Sequence, residues 1–185
     1  MAHARALLSQ RAVRGPASLT TFVAVGNATQ PFSRLIDAAL GLAEMLPQPI
    51  VIQHGNTHCE DARAVRHRFL QTGLFEQMIE QAEIIICHAG AGCVIHAIRA
   101  GKVPLVMPRR KQFMEHVDDH QVMFAELLAE TRRARIIEDA HTLRLSLAEA
   151  LGKPARAPSS PSEPMLVNEL RALLRKLATK TERNR

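Results

Sequence analysis

The hydrophobic positions of this chain form short apolar runs, rich in β-branched residues, between residues 20 and 151. A run of three to six such residues, bounded by polar or glycine-containing turns, is typical of a strand buried on both faces of a parallel sheet. By this pattern we predict strands at Thr20 to Val25, Ile50 to Ile52, around His67 to Leu70, Ile84 to Cys87, Val103 to Met107 and Arg135 to Ile137.

Between these runs, apolar residues recur at every third or fourth position, which predicts amphipathic helices. Pro31 suits the first turn of the first helix, and Asp118 or Asp119 is the expected N-cap of the fourth. Strands that alternate with helices predict an α/β fold with a parallel, Rossmann-like sheet. The predicted helices are Phe32 to Leu46, Leu74 to Ala82, Cys93 to Ala100, about 119 to 130, and Leu143 to Leu151.

The chain on either side of this domain, which we place at residues 20–151, has a different composition. Residues 1–19 form a basic arm, and residues 152–164 form a linker rich in Pro and Ser. The spacing of the leucines in residues 165–180 predicts an amphipathic C-terminal helix with these leucines on one face. A tethered helix of this kind docks on its own domain, on a partner or on a membrane.

The net charge of +6 belongs to the ends of the chain. Residues 1–19 carry three arginines and no acidic residue, residues 152–185 carry eight basic and three acidic residues, and the domain between them has a net charge of −2. The chain lacks Trp and Tyr, and its six Phe do not alternate with basic residues, so we expect no nucleic-acid partner. The basic ends are compatible with simple solvation, an anionic membrane surface or an acidic partner.

Composition also indicates the compartment. No apolar run reaches the roughly 20 residues that span a bilayer, and the basic N-terminus lacks the hydrophobic segment of a secretory signal. The three cysteines, Cys59, Cys87 and Cys93, form no C-x-x-C pair, and we expect the last two to be small packing residues. These features predict a cytoplasmic protein.

The turn after the fourth predicted strand carries the first candidate chemistry. His88-Ala89-Gly90-Ala91-Gly92 leads directly from a strand into a helix. The glycines allow a ligand to approach the backbone, and the first helical turn presents unpaired N–H groups and the positive end of the helix dipole. This combination suits a phosphate group, while the simpler interpretation is a tight strand-to-helix turn.

A second polar loop follows the next strand and opens at the same edge of the sheet. Arg109 and Arg110 have the geometry to hold phosphate oxygens, and Gln121 offers both a donor and an acceptor for sugar hydroxyls. A solvated surface loop is the simpler alternative for the arginines. His116 and His120 would share a helix face, but they do not form the H-E-x-x-H pattern, and we expect no metal.

These motifs resemble the C-terminal domain of glycosyltransferase family 28, over roughly residues 20–150. The loop between Met107 and Gln121 is most similar to that of one-domain donor-binding subunits in bacterial exopolysaccharide synthesis, a group similar to the donor-binding subunit of the dolichol-linked GlcNAc transferase. The resemblance rests on His88-Ala89-Gly90-Ala91-Gly92, on Gly101-Lys102-x-Pro104-Leu105-Val106-x-Pro108, on Asp119-His120-Gln121, and on Phe22-Val23-x-Val25-Gly26-Asn27 with Pro31-Phe32-x-Arg34-Leu35-Ile36.

The resemblance implies the donor-binding half of an inverting GT-B glycosyltransferase. Such a domain binds a UDP-sugar and uses neither metal nor cofactor, because arginines and a helix dipole stabilise the leaving diphosphate. It also implies a separate membrane-attached subunit that binds the lipid-linked acceptor and carries the catalytic base. The donor-binding residues implied in this way are Gly26, Asn27, His88, Gly90, Ala91, Gly92, His96, Arg109, Arg110, Glu115, His116, Asp119, His120 and Gln121.

Each part of this set has an expected role. Gly90, Ala91 and Gly92 hold the diphosphate with support from Arg109 or Arg110, and Asn27 faces the cleft between the two halves of the enzyme. His96 faces the ribose, although GlcNAc-transferring relatives carry a Glu there. The residues expected to shape the sugar pocket are Glu115, His116, Asp119, His120 and Gln121.

Two functions of other classes stay open at this point. The same fold would serve a non-catalytic nucleotide-binding or scaffolding module, and a basic α/β chain could also associate with RNA, with steep salt dependence.

Overall fold

The computed structural model describes residues 20–152 and Ala172. The basic arm, the linker from residue 153 onward and, apart from Ala172, the predicted C-terminal helix lie outside the described residues. No helix in the described part of the chain is long and apolar enough to cross a membrane.

Six strands form a single sheet, and every neighbouring pair in it is parallel. The strands are β1 (Thr21–Ala24), β2 (Ile50–Gln53), β3 (Ala64–His67), β4 (Ile84–His88), β5 (Leu105–Met107) and β6 (Arg135–Ile136). Their spatial order is β3-β2-β1-β4-β5-β6, so the chain reverses its direction across the sheet between β1 and β4. Ligands of open α/β sheets bind at the carboxyl ends of the strands at such a switch point.

Between residues 20 and 152, four α-helices connect strands and a fifth follows β6: α1 (Ser33–Gly41), α2 (Thr72–Gln81), α3 (Ala91–Arg99), α4 (His120–Glu130) and α5 (Ala140–Gly152). Two short 3₁₀ turns, Ala43–Met45 and Lys111–Phe113, follow α1 and β5. The alternation confirms the predicted α/β class with a parallel sheet.

The core lies on both faces of the sheet, because alternate residues of each strand point to opposite sides. Phe22, Ile85 and Val106 pack against α2, α3 and α4 on one face. Val23, Ile86 and Met107 pack against α1 and α5 on the other.

All three cysteines are buried thiols, which confirms the packing role predicted for Cys87 and Cys93.

The third strand lies three residues earlier than predicted. β3 is Ala64–His67, paired with β2 from Ile50↔Ala64 onward, whereas Phe69 and Leu70 belong to the connection to α2. β3 is an edge strand, and its residues are half-buried or exposed, with Val65 44% exposed. Because an edge strand needs no continuous apolar run, hydrophobicity alone placed it wrongly.

One predicted helix start is corrected, and the predicted N-cap of the other is confirmed in position only. Pro31 precedes the N-cap, Phe32, and so lies outside α1 rather than in its first turn. Asp119 occupies the N-cap position of α4, but its Oδ1 accepts the backbone N–H of Lys111 at 2.9 Å instead of one from the helix. The α4 N–H of His120 is bonded by Asp118 Oδ1 at 3.2 Å.

Candidate functional site

The imidazole of His88 lies at the switch point between β1 and β4. Its Nδ1 is 3.4 Å from the carbonyl oxygen of Ala24, and its ring lies between Gly26 and Gly90. A Cβ at Gly90 would come within 2.0 Å of His88 Nε2, and a Cβ at Gly26 within 2.5 Å of His88 Cε1. Both glycines therefore make room for the imidazole, a requirement that the phosphate interpretation of the turn did not include.

His88 is uncharged at neutral pH. Burial lowers its pKa to about 4, and the electrostatic influence of Arg109, with a smaller one from His116, acts in the same direction, whereas the contact with the Ala24 carbonyl raises it. In the neutral ring, an Nδ1–H that donates to the Ala24 oxygen leaves Nε2 as an acceptor. His88 can therefore accept a hydrogen bond from a ligand but brings no charge to a phosphate.

The amino terminus of α3 begins two residues beyond His88. Gly90 is its N-cap and provides no side-chain hydrogen bond. Val94 is the first residue whose N–H bonds back, to the Gly90 oxygen at 3.2 Å, and both Ala91 and Gly92 are exposed. The first N–H groups of α3 therefore face outward at the carboxyl edge of the sheet, as an anion site requires.

Of the two arginines predicted as alternatives at the phosphate, Arg109 lies in the interior and has partners within the chain. Its side chain is fully buried, and its guanidinium donates to four backbone carbonyls: Nη2 to Val25 at 2.9 Å, and Nη1 to Gln30 at 2.9 Å, Glu115 at 3.0 Å and Pro31 at 3.5 Å. The guanidinium carbon lies 4.6 Å from the ring centroid of Phe32. Burial lowers the pKa of Arg109 to about 10, which still leaves it charged at neutral pH.

Glu115 is bonded within the chain as well, and its predicted place in the sugar pocket stays a prediction. Its carboxylate is buried and forms two hydrogen bonds with Arg34, at 3.0 and 2.8 Å, and a third with the backbone N–H of Arg110 at 3.0 Å. Arg34 also donates to the carbonyl oxygens of Pro108 and Glu138. Both carboxylate oxygens are thus occupied, because the loop after β5 is folded around this ion pair.

The remaining polar side chains of the β5 loop are partly available. Arg110 pairs with Glu138 at 2.7 Å, and its side chain remains 26% exposed. Gln121 is buried, and its Oε1 accepts the backbone N–H of Arg109 at 3.2 Å. That bond fixes the orientation of the Gln121 side-chain amide, with its oxygen directed at Arg109. Asn27, in the turn after β1, is exposed at the same edge. Roles for these residues in donor binding stay predictions.

His96 is directed at the neighbouring helix α2. Its Nδ1 lies 3.4 Å from Glu76 Oε1, and its ring makes an edge contact with Phe75 at a centroid distance of 6.1 Å. The side chain is 26% exposed. The contact of His96 with a ribose stays a prediction. To make this contact, His96 would have to keep or exchange its present neighbours, Glu76 and Phe75.

His116 and His120 do come together, but not on one helix face, because His116 lies in the loop before α4. Their rings meet edge to face at 4.7 Å. Asp118, which the sequence interpretation treated only as an N-cap, lies between them and contacts the Nδ1 atoms of both rings.

Gln53 was not recognised from the sequence. Its Oε1 accepts the N–H of Gly26 at 3.0 Å, and its Nε2 donates to the oxygens of Gly26 at 3.0 Å and Arg68 at 3.2 Å. The amide fixes Gly26 at φ +81°, in the conformation that makes room for His88. A polar residue at the end of an apolar run was the only signal in the sequence.

The candidate site is an open edge and not a closed pocket. Two surface cavities of about 410 and 420 Å³ occur in the described part of the chain. The first is lined by residues after β2 and β3, and the second lies at the opposite edge of the sheet, beside Glu83 and Lys102. Neither includes the α3 amino terminus or the β5 loop.

Known proteins share the fold described above. The family model described as "Glycosyltransferase family 28 C-terminal domain" matches residues 20–177. The chain belongs to this family. The expected fold, the C-terminal half of a GT-B glycosyltransferase, is therefore confirmed.

Two curated relatives carry the same name, UDP-N-acetylglucosamine--N-acetylmuramyl-(pentapeptide) pyrophosphoryl-undecaprenol N-acetylglucosamine transferase. The chain is 30% identical over 102 residues to the protein from Solibacter usitatus, which is 50% of this chain and 27% of that protein. It is 26% identical over 140 residues to the protein from Azotobacter vinelandii, which is 70% of this chain and 37% of that protein. The chain thus corresponds to about a third of the length of these relatives.

Solved structures show the same fold at low sequence identity. The kitacinnamycin glycotransferase superimposes with a TM-score of 0.55 at 20% identity, covering 92% of this chain and 42% of the other. The solution structure of ALG13 superimposes with a TM-score of 0.56 at 16% identity, covering 78% of this chain and 91% of the other. ALG13 shows that nearly a whole solved chain can consist of a domain of this kind.

Gly90→Ala should destabilise the protein through its clash with His88. We expect a loss of about 1–3 kcal/mol in the free energy of unfolding, measured by urea denaturation. In a His88→Ala background the steric part of this loss should vanish, which a double-mutant cycle detects separately from any N-cap effect. Gly92→Ala is the control, since a Cβ there meets nothing within 4 Å. Equal losses in both backgrounds would contradict the packing role.

Arg109→Lys should destabilise the protein far more than Arg110→Lys. The single ammonium of a lysine cannot take the place of both Nη1 and Nη2 among the four carbonyls, and we expect a loss of about 2–4 kcal/mol from leaving some of them unpaired in the interior. Arg110 is paired at the surface, so its replacement should cost less than about 1 kcal/mol. If Arg109→Lys instead left the unfolding free energy unchanged and abolished nucleotide binding, the phosphate role would be restored.

Proposed function

We propose that this chain is the donor-binding subunit of an inverting, UDP-sugar-dependent glycosyltransferase. It acts with a separate membrane-attached subunit that binds a lipid-linked acceptor, in the synthesis of an exopolysaccharide. The observation that carries the proposal is the uncapped, exposed amino terminus of α3, at the switch point of a family 28 domain.

The diphosphate of the donor lies at the amino terminus of α3. The N–H groups of Ala91, Gly92 and Cys93 precede the first bond of the helix, and the helix dipole favours a doubly charged group there. Arg110 is the exposed cation of the β5 loop and reaches the diphosphate by leaving Glu138. The positive dipole end and this guanidinium stabilise the charge that develops on the leaving UDP.

The sugar and the ribose lie toward the exposed polar residues around this terminus. Gln121 has its side-chain oxygen occupied by Arg109, which leaves its NH₂ group as the donor. Neutral His88 accepts at Nε2, and Asn27 adds a third polar group on the β1 side. These groups recognise hydroxyls, while the charge of the donor is met at the helix terminus.

A second subunit completes the site. The name of the two curated relatives specifies a UDP-sugar donor and a lipid-linked acceptor, so a complete site also needs an acceptor-binding surface. The loop beside the site exposes three apolar side chains, Phe113 at 50%, Met114 at 83% and Val117 at 69%. Exposed apolar residues next to an open polar site suit a partner that closes over it.

A non-catalytic nucleotide-binding module of the same fold is the second candidate. It is favoured by His96, which stands where GlcNAc-transferring relatives bind ribose and which contacts Glu76 and Phe75 of α2 instead. A module of this kind would bind nucleotide weakly and would support no sugar transfer even with its partner.

Gly92→Asp should abolish UDP binding without damaging the fold. An aspartate at the second residue of α3 meets open space and is favourable to the helix dipole, but it occupies the place of the diphosphate and repels it. We expect the affinity for UDP, UDP-GlcNAc, UDP-glucose and UDP-glucuronate, measured by calorimetric titration, to fall about tenfold or more.

Gly73→Asp is the matched control for this experiment. Gly73 is the second residue of α2, is equally exposed and also meets nothing within 4 Å. It should leave the UDP affinity unchanged, and both variants should keep the free energy of unfolding within about 1 kcal/mol of the parent. Equal effects of the two substitutions on UDP binding would contradict the proposal that the diphosphate lies at the α3 terminus.

The isolated chain should bind the donor but transfer no sugar. The reason is that the acceptor and the catalytic base belong to the other subunit. Release of UDP from the tightest-binding UDP-sugar, with a polyprenyl-phosphate acceptor, measures this directly. Robust transfer by the chain alone would contradict the two-subunit proposal, whereas no transfer after addition of the natural partner would favour the non-catalytic module.

A further inference from the structure

We propose that His116, Asp118 and His120 form a binding site for a divalent transition-metal ion such as Zn²⁺. This inference does not depend on the proposed function. It concerns the loop between β5 and α4, where the three side chains gather at the carboxyl edge of the sheet.

The ligand atoms of these side chains already converge. Asp118 Oδ1 lies 3.3 Å from His116 Nδ1 and is in direct contact with His120 Nδ1, and all three ligand atoms lie within 4.8 Å of one another. Tetrahedral Zn²⁺ with bonds of about 2.0–2.1 Å separates its ligand atoms by about 3.3 Å. The Asp118–His116 separation has this value, and His120 needs only a small outward movement to match it.

The hydrogen bonds around the cluster orient the groups for an ion. The backbone N–H of Asp118 donates to His116 Nδ1 over a long distance of 3.5 Å, and a bound ion would replace this N–H as the partner of the Nδ1 lone pair. The backbone N–H of His120 donates to Asp118 Oδ1 at 3.2 Å and fixes the carboxylate. Two imidazoles and a carboxylate are donors that Zn²⁺ and Co²⁺ accept.

The cluster is both accessible and held in place. The side chains of His116, Asp118 and His120 are 21%, 56% and 51% exposed, which leaves room for an ion and for a water as fourth ligand. On one side the loop is anchored by buried Glu115, next to His116, and on the other by α4, which begins at His120. A loop fixed at both ends loses little conformational freedom when it binds an ion.

The experiment uses the untagged full-length chain after treatment with a chelator. Calorimetric titration with Zn²⁺, and visible absorption during titration with Co²⁺, should show one ion bound to this site. His116→Ala and His120→Ala should each weaken binding about tenfold or more, since each removes a direct ligand. Asp118→Asn should also weaken binding while it keeps the size of the exposed side chain.

His58→Ala and His141→Ala are the controls, because both histidines are exposed and lie outside the cluster. Their affinities for Zn²⁺ should equal that of the parent. Absence of ion binding by the parent, or equal binding by a His116→Ala/His120→Ala double variant, would overturn the proposal. UDP titration in the presence of the chelator tests the donor site separately, so failure of one proposal is distinguishable from failure of the other.

Discussion

The guanidinium of Arg109 is the interaction on which the carboxyl edge of the sheet depends. It follows β5, yet it bonds the carbonyl oxygen of Val25 at the end of β1 and that of Gln30 before α1. In the sheet, β4 lies between β1 and β5, so the side chain ties together the loops on both sides of β4. A buried cation of this kind is tolerated only because backbone carbonyls and the face of Phe32 replace its water.

The organisation of the candidate site follows from these hydrogen bonds of Arg109. With the β1 and β5 loops held, His88 at the end of β4 has space only between Gly26 and Gly90, and the charge of Arg109 helps to keep its imidazole neutral. The Arg34–Glu115 ion pair holds the β5 loop in its folded conformation. Arg109, Arg34 and Glu115 therefore stabilise the loops themselves, whereas the amino terminus of α3 has no side-chain cap, which is the feature that suits an anion.

Several elements of this picture follow from the sequence, for identifiable reasons. The central strands β1, β2, β4 and β5 are buried on both faces, so their apolar runs are unambiguous. The edge strand β3 is half-exposed and was placed three residues late, since no apolar run marks it. The glycine turn at Gly90 was recognised as important, but a glycine pattern cannot distinguish room for a ligand from room for a neighbouring side chain such as His88.

The sequence by itself determined the α/β class, the parallel sheet and the family, because periodicity and local motifs encode these features, and it predicts the edge of the sheet at which we propose the site. Only the tertiary structure decided which side chains remain available at that edge. Arg109 and Arg110 are neighbours in the chain and look alike as phosphate ligands, yet one is fully buried and the other partly exposed. Whether an arginine meets a ligand or a carbonyl is decided by loops up to 84 residues away, which no local pattern contains.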